Sequence, residues 1–208
     1  MNWGELKAAV ASWTTRSDLY TDAALFPRLL ELAEQAIFRG TARRPGLRLR
    51  MMLATTDPFT PGALPFGFLQ VERVSIVSNG QRKTLEPLSG DDFTLFELQS
   101  GPPDWYTIRG QQLLVAPSPT TPVRLDYYAR PGQMLVDSDT NSVIDNYPGI
   151  WLYAMLVEAG NWLRDAEMVA QYMPMLDAAI EGAHAEDERA RRSLGTPLQI
   201  RSIQAVRA

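Results

Sequence analysis

Apolar side chains near the start of the chain recur at the interval of an α-helix. A spacing of three or four residues places them on one face of a first helix, and they are Trp3, Leu6, Val10 and Trp13. A second helix is predicted to begin around Pro27, because proline lacks the N–H that the first helical turn leaves unpaired. Gly40 suits the end of this helix. Its apolar stripe consists of Leu29, Leu30, Ala33, Ile37 and Phe38.

Residues 44–142 follow a different pattern, in which short alternating runs are separated by proline and glycine. The run 47–51 reads Leu-Arg-Leu-Arg-Met and alternates with period two, which predicts a half-buried strand. Asn79-Gly80 predicts a tight hairpin turn, because both residue types tolerate the positive φ angles that such a turn needs. The strands of this hairpin are residues 71–77 and 83–88.

Residues 102–119 predict a second hairpin, in which Arg109-Gly110 joins two strands and prolines lie at the strand ends. The run 123–129 follows as a third strand. One face of that strand carries Val123, Leu125 and Tyr127, and the other carries Arg124, Asp126 and Tyr128. Together the hairpins predict one small antiparallel sheet of about three to six strands.

The last third of the chain returns to the helical interval. Pro148 is predicted to open a helix, and its stripe consists of Leu152, Met155, Leu156, Ala159, Trp162 and Leu163. Asp165 interrupts the pattern before a second stripe of Val169, Tyr172, Met173, Leu176 and Ile180. Pro174 lies within this second helix and predicts a kink. The charged run 184–192 is expected on the solvent side, with Gly195 and Pro197 as stop signals.

These patterns predict an α+β fold. The N- and C-terminal helices are expected to form an antiparallel helix bundle, with a small antiparallel β-sheet domain inserted between them. The helical parts are residues 1–43 and 143–194. Residues 44–142 form the inserted β-rich platform, which includes one short helix, and residues 195–208 form an extended C-terminal tail.

Composition and net charge narrow the classes of protein to which the chain could belong. With 45% hydrophobic and 21% charged residues, the 208-residue chain is typical of a globular protein. A formal net charge of −4 provides no overall basic surface for nucleic acid. A local basic patch of Arg43, Arg44, Arg48 and Arg50 remains an alternative, but a solvated turn with arginines on an outer strand face is the favoured explanation.

The chain has no cysteine, so disulfides and zinc–sulfur sites are excluded. No run of residues reaches the roughly 18 apolar positions that a membrane span needs. The first residues do not have the basic start and apolar core of a signal peptide. The chain is therefore expected in a cytoplasm and not in a membrane.

Candidates for catalysis are sparse. His184 is the single histidine, and a lone histidine near a charged run is expected at a surface or helix end. Residues 91–98 predict a short helix capped by Ser89 or Asp91, so Asp91-Asp92 is explained as a helix start and not as a metal site. No phosphate loop or nucleophile elbow occurs. We assign no catalytic, cofactor-binding or metal residues, and we expect no cofactor and no enzymatic activity.

Four aromatic residues of the predicted sheet allow two explanations. They are Trp105, Tyr106, Tyr127 and Tyr128. They could stack against a sugar or single-stranded nucleic acid, which would make the chain a non-enzymatic binding module. Cross-strand pairing inside a small sheet is the favoured explanation.

Four stretches carry a resemblance when they are taken in order. They are residues 25–43 with Ala33-Glu34 and Arg39, 101–119 with the form G-x-P-x-x-Y-x-I-x-G, 123–134 with Tyr-Tyr-Ala, and 146–172 with Tyr147-Pro148, Leu156, Glu158-Ala159 and Arg164-Asp165. In order and spacing they resemble the head-to-tail adaptor (connector) proteins of tailed bacteriophages. The stretches span most of residues 1–194.

The resemblance implies a structural, non-enzymatic protein of the virion. Such a protein would form a ring of about twelve copies, closed by head-to-tail contacts, at the junction of head and tail. Its partners would be the portal protein above, a tail or nozzle protein below and neighbouring copies of itself. Viral DNA would pass transiently through the ring, and assembly would take place in the host cytoplasm.

The C-terminal tail supplies the first testable prediction. Its four large apolar residues are candidates for contact with the portal or a neighbouring subunit, and they are Leu198, Ile200, Ile203 and Val206. Burying so few side chains does not offset the entropy of ordering the tail in an isolated copy. Deleting residues 196–208 should therefore weaken assembly and leave the melting temperature almost unchanged. A large fall in melting temperature would place the tail in the core and contradict this assignment.

Overall fold

The computed structural model describes residues 1–15, 24–41, 44–78, 80–118 and 122–195. These ranges contain α1 (Trp3–Trp13), α2 (Leu25–Arg39), α3 (Gly90–Phe93), α4 (Ser142–Asn146), α5 (Pro148–Leu163) and α6 (Ala166–Gly195). The strands are β1 (Gly40–Thr41), β2 (Arg44–Pro45), β3 (Leu53–Phe59), β4 (Gly62–Ala63), β5 (Phe68–Ser78), β6 (Gln81–Thr84), β7 (Glu86–Pro87), β8 (Trp105–Arg109), β9 (Gln112–Ala116) and β10 (Val123–Ala129). The predicted α+β class is confirmed.

α1 begins with a reciprocal cap that was not predicted from the sequence. The Asn2 side chain accepts a hydrogen bond from the Glu5 amide at 2.8 Å, and the Glu5 carboxylate accepts one from the Asn2 amide at 3.0 Å. Two amides that the helix leaves unpaired are thereby satisfied. The predicted apolar face is buried at Trp3, Leu6 and Val10, whereas Trp13 is half exposed.

α2 begins at Leu25, so that Pro27 lies in its first turn, and the predicted stripe is buried. It ends at Gly40, whose φ angle of +74° is readily adopted by glycine. The ribbon of β1 and β2 then folds the chain back onto the last turn of α2. A Cβ atom on Gly46 would lie 2.1 Å from the carbonyl oxygen of Phe38, so this close approach requires glycine.

The first four-stranded sheet has the order β3-β10-β5-β6, and all its pairings are antiparallel. β10 occupies an interior position, where Leu125 pairs with Thr56 of β3 and with Val74 of β5. β5 and β6 form the predicted first hairpin. Gly80 in its turn has a φ of +75°, while Asn79 lies outside the described residues.

The second sheet has the order β4-β9-β8-β7, and its β7–β8 pairing is parallel. β8 and β9 form the predicted second hairpin around Gly110, which has a φ of +61°. The prediction of one sheet was wrong, because β10 joins the first sheet instead of continuing this hairpin. Alternation along a strand indicates which side chains share a face, but it does not identify the neighbouring strand.

Two hydrophobic clusters divide the buried side chains. The larger one, the helical core, combines residues of α1, α2, α5 and α6. The smaller one, the sheet core, combines residues of β3, β5, β9 and β10, including Val123, Leu125 and Tyr127. Tyr128 points to the opposite side of β10 and belongs to the helical core. β10 therefore contributes side chains to both clusters.

Residues 44–50, which we call the arginine arm, do not contain the strand predicted over 47–51. Leu47 and Leu49 are fully buried in the helical core. The Leu47 amide donates to the Ile37 carbonyl at 2.9 Å, and a 3₁₀ turn follows at Arg50–Met52. The alternating burial of residues 47–50 was predicted correctly. The segment that carries it is extended, but it lies against helices instead of pairing in a sheet.

Three further differences concern helix limits. The helix predicted over 91–98 is α-helical only in α3, which Ser89 caps as one of the two predicted candidates. Trp162, in the last turn of α5, is half exposed and is not part of the buried stripe. α5 ends one residue later, where Arg164 takes a left-handed conformation with φ of 58°. α6 continues on both sides of Pro174 and reaches Gly195, and Pro197 lies outside the described residues.

The fold predicts opposite effects for alanine at two glycines. Gly46→Ala should lower the free energy of unfolding by about 1–3 kcal/mol, because the added methyl group meets backbone instead of a movable side chain. Gly182→Ala is the matched control, since no atom lies within 4 Å of a Cβ there. In the interior of α6 this change should raise stability by about 0.5–1 kcal/mol. Urea denaturation of both variants measures the difference, and equal midpoints would contradict the close approach at Gly46.

Candidate assembly surfaces

A polar layer holds the arginine arm against α6. Arg44 is only 4% exposed, and its Nε lies 2.7 Å from Oδ1 of Asp177. The Arg50 amide donates to Oδ1 of Asp187 at 3.0 Å. Arg191 donates to Oδ2 of Asp187 at 2.9 Å and to the Tyr128 hydroxyl at 2.6 Å. The layer thereby connects α6 both to the arm and to β10.

Both explanations of the arginine run were wrong for Arg44 and Arg48. Arg44 is buried in an ion pair, and Arg48 is half-buried with Nη1 donating to the carbonyl oxygens of Phe38 at 2.9 Å and Leu47 at 2.7 Å. These guanidinium groups satisfy backbone carbonyls and a carboxylate inside the protein. They therefore form neither a basic patch nor a solvated strand face. Arg43 lies outside the described residues.

His184 is half-buried and faces the arm instead of lying at the surface as expected. Its Nε2 accepts a hydrogen bond from the Arg48 amide at 3.3 Å. Burial lowers the pKa of His184, the nearby Asp187 carboxylate opposes this, and the Arg44 and Arg48 cations add to the lowering. The neutral imidazole is the form that this position favours, because only a neutral ring can accept the amide hydrogen bond.

The four sheet aromatics do not share a face. Trp105 and Tyr106 lie half-buried on β8 of the second sheet, and the Trp105 ring lies 5.8 Å from that of Phe96. Tyr127 and Tyr128 are buried on β10 of the first sheet. A stacking platform for sugar or single-stranded nucleic acid needs several exposed rings on one surface. Cross-strand pairing, the favoured explanation, is confirmed for Tyr127, whose ring stacks on that of Phe68 in β5 with centroids 5.7 Å apart. The register pairs none of the four rings with one another.

Across the described parts of the chain, no group of three or more histidine, aspartate or glutamate side chains is placed to hold a metal ion. Asp91 and Asp92 lie in the first turn of α3, as the sequence predicted. No helix of the described ranges is both long and apolar enough to span a membrane.

The first exposed apolar surface is a pair of side chains, Leu135 and Val136, which we call the apolar knob. They are 76% and 58% exposed. Both backbone amides donate to Oδ2 of Asp139, at 2.7 and 2.9 Å, and these hydrogen bonds hold the pKa of that carboxyl below its usual range. The Asp139 carbonyl in turn accepts from the Trp3 amide at 2.9 Å. The knob is therefore fixed to the start of α1.

A cavity of about 230 Å³ lies beside the knob and includes Leu135, Glu31, Glu34 and Arg130 in its lining. Glu34 is buried, and Arg130 lies 3.5 Å from its Oε2. Burial raises the pKa of Glu34, the Arg130 cation opposes this, and the Glu31 carboxylate raises it further. Glu31 itself is exposed, so an exposed carboxylate lies beside the knob.

The second surface is a groove at the bend between α5 and α6, which we call the elbow groove. It has a volume of about 480 Å³, and its apolar lining includes Gly160, Val169, Ala170 and Met173. A Cβ atom on Gly160 would lie 2.9 Å from Cγ2 of Val169, so the two helices approach closely because glycine stands there. Arg164 lies at the edge of the groove.

The third surface lies beside the turn of the second sheet. Phe66 is 92% exposed and lines a cavity of about 560 Å³ together with Leu64, Phe68 and Ile108. Phe66 and Ile108 are exposed there, and exposed apolar side chains beside a cavity are typical of a binding surface for another macromolecule.

None of these three surfaces was predicted from the sequence. Leu198, Ile200, Ile203 and Val206 are outside the described residues. A signal for the knob was present, because adjacent Leu135-Val136 stands in an otherwise polar turn that ends in Asp139. The sequence indicates the groove more weakly, through Gly160, which is a glycine inside an apolar helical stripe.

A family model described as SU10 adaptor protein matches residues 1–201. The chain therefore belongs to the SU10 adaptor protein family, a family of phage head-to-tail adaptors, which confirms the resemblance. A search of curated proteins finds no match. Its family makes the chain a structural bacteriophage protein of the virion, which associates with other head and tail proteins.

His184 predicts how stability depends on pH. Its pKa is lower in the folded than in the unfolded chain, so the unfolded chain binds the proton more readily. Stability should therefore fall as the pH is lowered through the ordinary pKa of histidine, about 6.5. His184→Gln keeps a neutral acceptor and should remove this part of the dependence. Melting temperatures of both proteins between pH 8 and 5.5 measure this contribution of His184. Parallel plots of melting temperature against pH would contradict the prediction. Glu34 is present in both proteins, so its contribution to the pH dependence cancels when the two are compared.

Proposed function

We propose that this protein forms a ring of about twelve copies, closed by rotational symmetry, between the portal protein of a phage head and a tail or nozzle protein below. Membership of the adaptor family over residues 1–201 carries the proposal. The ring joins the two partners mechanically and performs no catalysis.

Exposed apolar side chains at three separate places support several simultaneous contacts. A ring subunit needs two different lateral surfaces, because a head-to-tail contact joins unlike patches of neighbouring copies. It needs further surfaces for the proteins above and below. The knob, the elbow groove and the surface around Phe66 belong to different elements of the fold, which suits such a division.

The internal layout of the proposal follows the two hydrophobic clusters. Residues 1–43 and 143–194 form an antiparallel helix bundle, supported by the helical core that α1, α2, α5 and α6 share. Residues 44–142 form an inserted β platform, supported by the separate sheet core. Residues 195–208 form a tail that becomes ordered on the portal or on a neighbouring copy, with Leu198, Ile200, Ile203 and Val206 as its contacts.

DNA passes through the centre of the ring without being held. The net charge of −4 supports this part of the proposal, since lasting attachment to DNA depends on lysine and arginine contacts with phosphate. Two candidates for such contacts, Arg44 and Arg48, are engaged inside the protein. The ring assembles in the host cytoplasm and remains at the junction of head and tail in the virion.

Native mass spectrometry of the chain mixed with the portal protein of the same phage tests the proposal. We expect one discrete complex, heavier than the portal ring by about one 23.2-kDa copy per portal subunit. The mass gain divided by the mass of one copy gives the number of copies. A chain that stays monomeric and leaves the portal mass unchanged, with a correctly folded portal ring present, would overturn the proposal.

A further inference from the structure

We propose that the apolar knob of one copy inserts into the elbow groove of the next copy, and that this contact closes the ring laterally. The inference rests on the proposed ring and assigns its subunit interface to named residues. The occupant of the groove is thus a second copy of this chain.

The knob is prepared for insertion before any partner arrives. Its two amides are bonded to Asp139, and the Gly4 amide donates to the carbonyl of Asp137 at 2.9 Å. Met134, the preceding residue, is buried in the helical core. Because the loop is fixed at both ends, docking Leu135 and Val136 costs little further conformational entropy.

The groove matches the knob in polarity and size. Its lining is chiefly apolar at Val169, Ala170 and Met173. A cavity of roughly 150 Å³ holds a benzene molecule, so a groove of about 480 Å³ has room for two aliphatic side chains. Burying a leucine and a valine there would remove apolar surface from water, which favours the docked state.

One copy cannot fill its own groove with its own knob. The knob is bonded to the first residues of α1, whereas Trp13 at the other end of α1 lines a cavity with Asp165 and Glu167 at the elbow. The helix of 11 residues separates these ends by about 16 Å. Each copy therefore offers a knob at one end of α1 and a groove at the other, as a heterologous contact requires.

Charge complements the apolar contact. Glu31 is exposed beside the knob, and Arg164 is exposed at the edge of the groove. The other charged residue of the groove, Asp165, caps α6 by accepting from the Met168 amide at 3.0 Å. When the knob enters the groove, Glu31 of one copy is brought towards Arg164 of the next, which favours this pairing of surfaces over others.

The absence of cysteine from the chain allows a direct test. The double variant Leu135→Cys with Ala170→Cys, assembled on the portal protein and then oxidised, should give a ladder of covalent oligomers on a denaturing gel. Each single variant should give no species above a dimer. The control pair Leu98→Cys with Ala170→Cys should give no ladder, although Leu98 is more exposed than Leu135.

The outcomes separate this inference from the proposed function. A ring seen by native mass spectrometry without cross-linked product would overturn the knob-and-groove contact and leave the ring standing. A product that stops at the dimer for the double variant would also overturn it, because it indicates a two-fold pair. Failure of the unmodified chain to form any ring, with or without portal, would overturn the proposed function and the inference with it.

Two sets of substitutions provide an independent measurement. Leu135→Ser with Val136→Ser should weaken ring formation at least about tenfold and leave the melting temperature of the isolated copy unchanged, since both side chains are exposed there. Leu98→Ser is the matched control and should have no effect. Glu31→Arg should weaken assembly by up to about fivefold, and adding Arg164→Glu should restore it. Absence of restoration would contradict the charge pairing.

Discussion

The arrangement of this protein depends on a buried cation. Arg44 lies almost completely inside the molecule, and its partner Asp177 is on α6, more than a hundred residues away in sequence. A buried charge is strongly unfavourable unless it is paired, so separating α6 from the arm would leave the guanidinium uncompensated. Nearby, Asp187 binds the arm through the Arg50 amide and β10 through Arg191 and Tyr128. α6 is thereby held both to the arginine arm and to β10.

β10 connects the polar layer, and through it α6, to the first sheet. Tyr128 packs in the helical core while Leu125 and Tyr127 pack in the sheet core, so one strand couples the two clusters. A displacement of the helices relative to the first sheet would disturb both cores, because close-packed interiors do not deform continuously. This coupling suits a load-bearing junction, in which the surfaces that meet different partners must keep fixed relative positions.

Much of this fold could be predicted from the sequence, because most of its elements follow local patterns. The helical periods located α1, α2, α5 and α6, and Gly80 and Gly110 marked the two hairpins. The partner of β10 could not be predicted, since strand pairing joins distant segments and is not encoded in the alternation of one strand. The arm was misassigned for a related reason: Leu47 and Leu49 alternate with arginines whether the extended chain pairs with a strand or lies against helices. The knob and the groove depend on tertiary contacts, such as the approach of Val169 to Gly160, which a single sequence does not display.

The separation of knob and groove has a consequence for the geometry of assembly. In the proposed ring, each contact would use the knob of one copy and the groove of the other, so every added copy would leave one knob and one groove open at the ends of the growing arc. Only closure satisfies both, and closure requires the angle between the two surfaces to be the same in every copy. In that ring the angle would be set by α1, whose first residues are bonded to the knob loop and whose last residue lies near the elbow, and by the packing of α1 against α5. The polar layer around Arg44 and Asp187 then matters for ring size, because it fixes α6, and with it one wall of the groove, against the rest of the subunit.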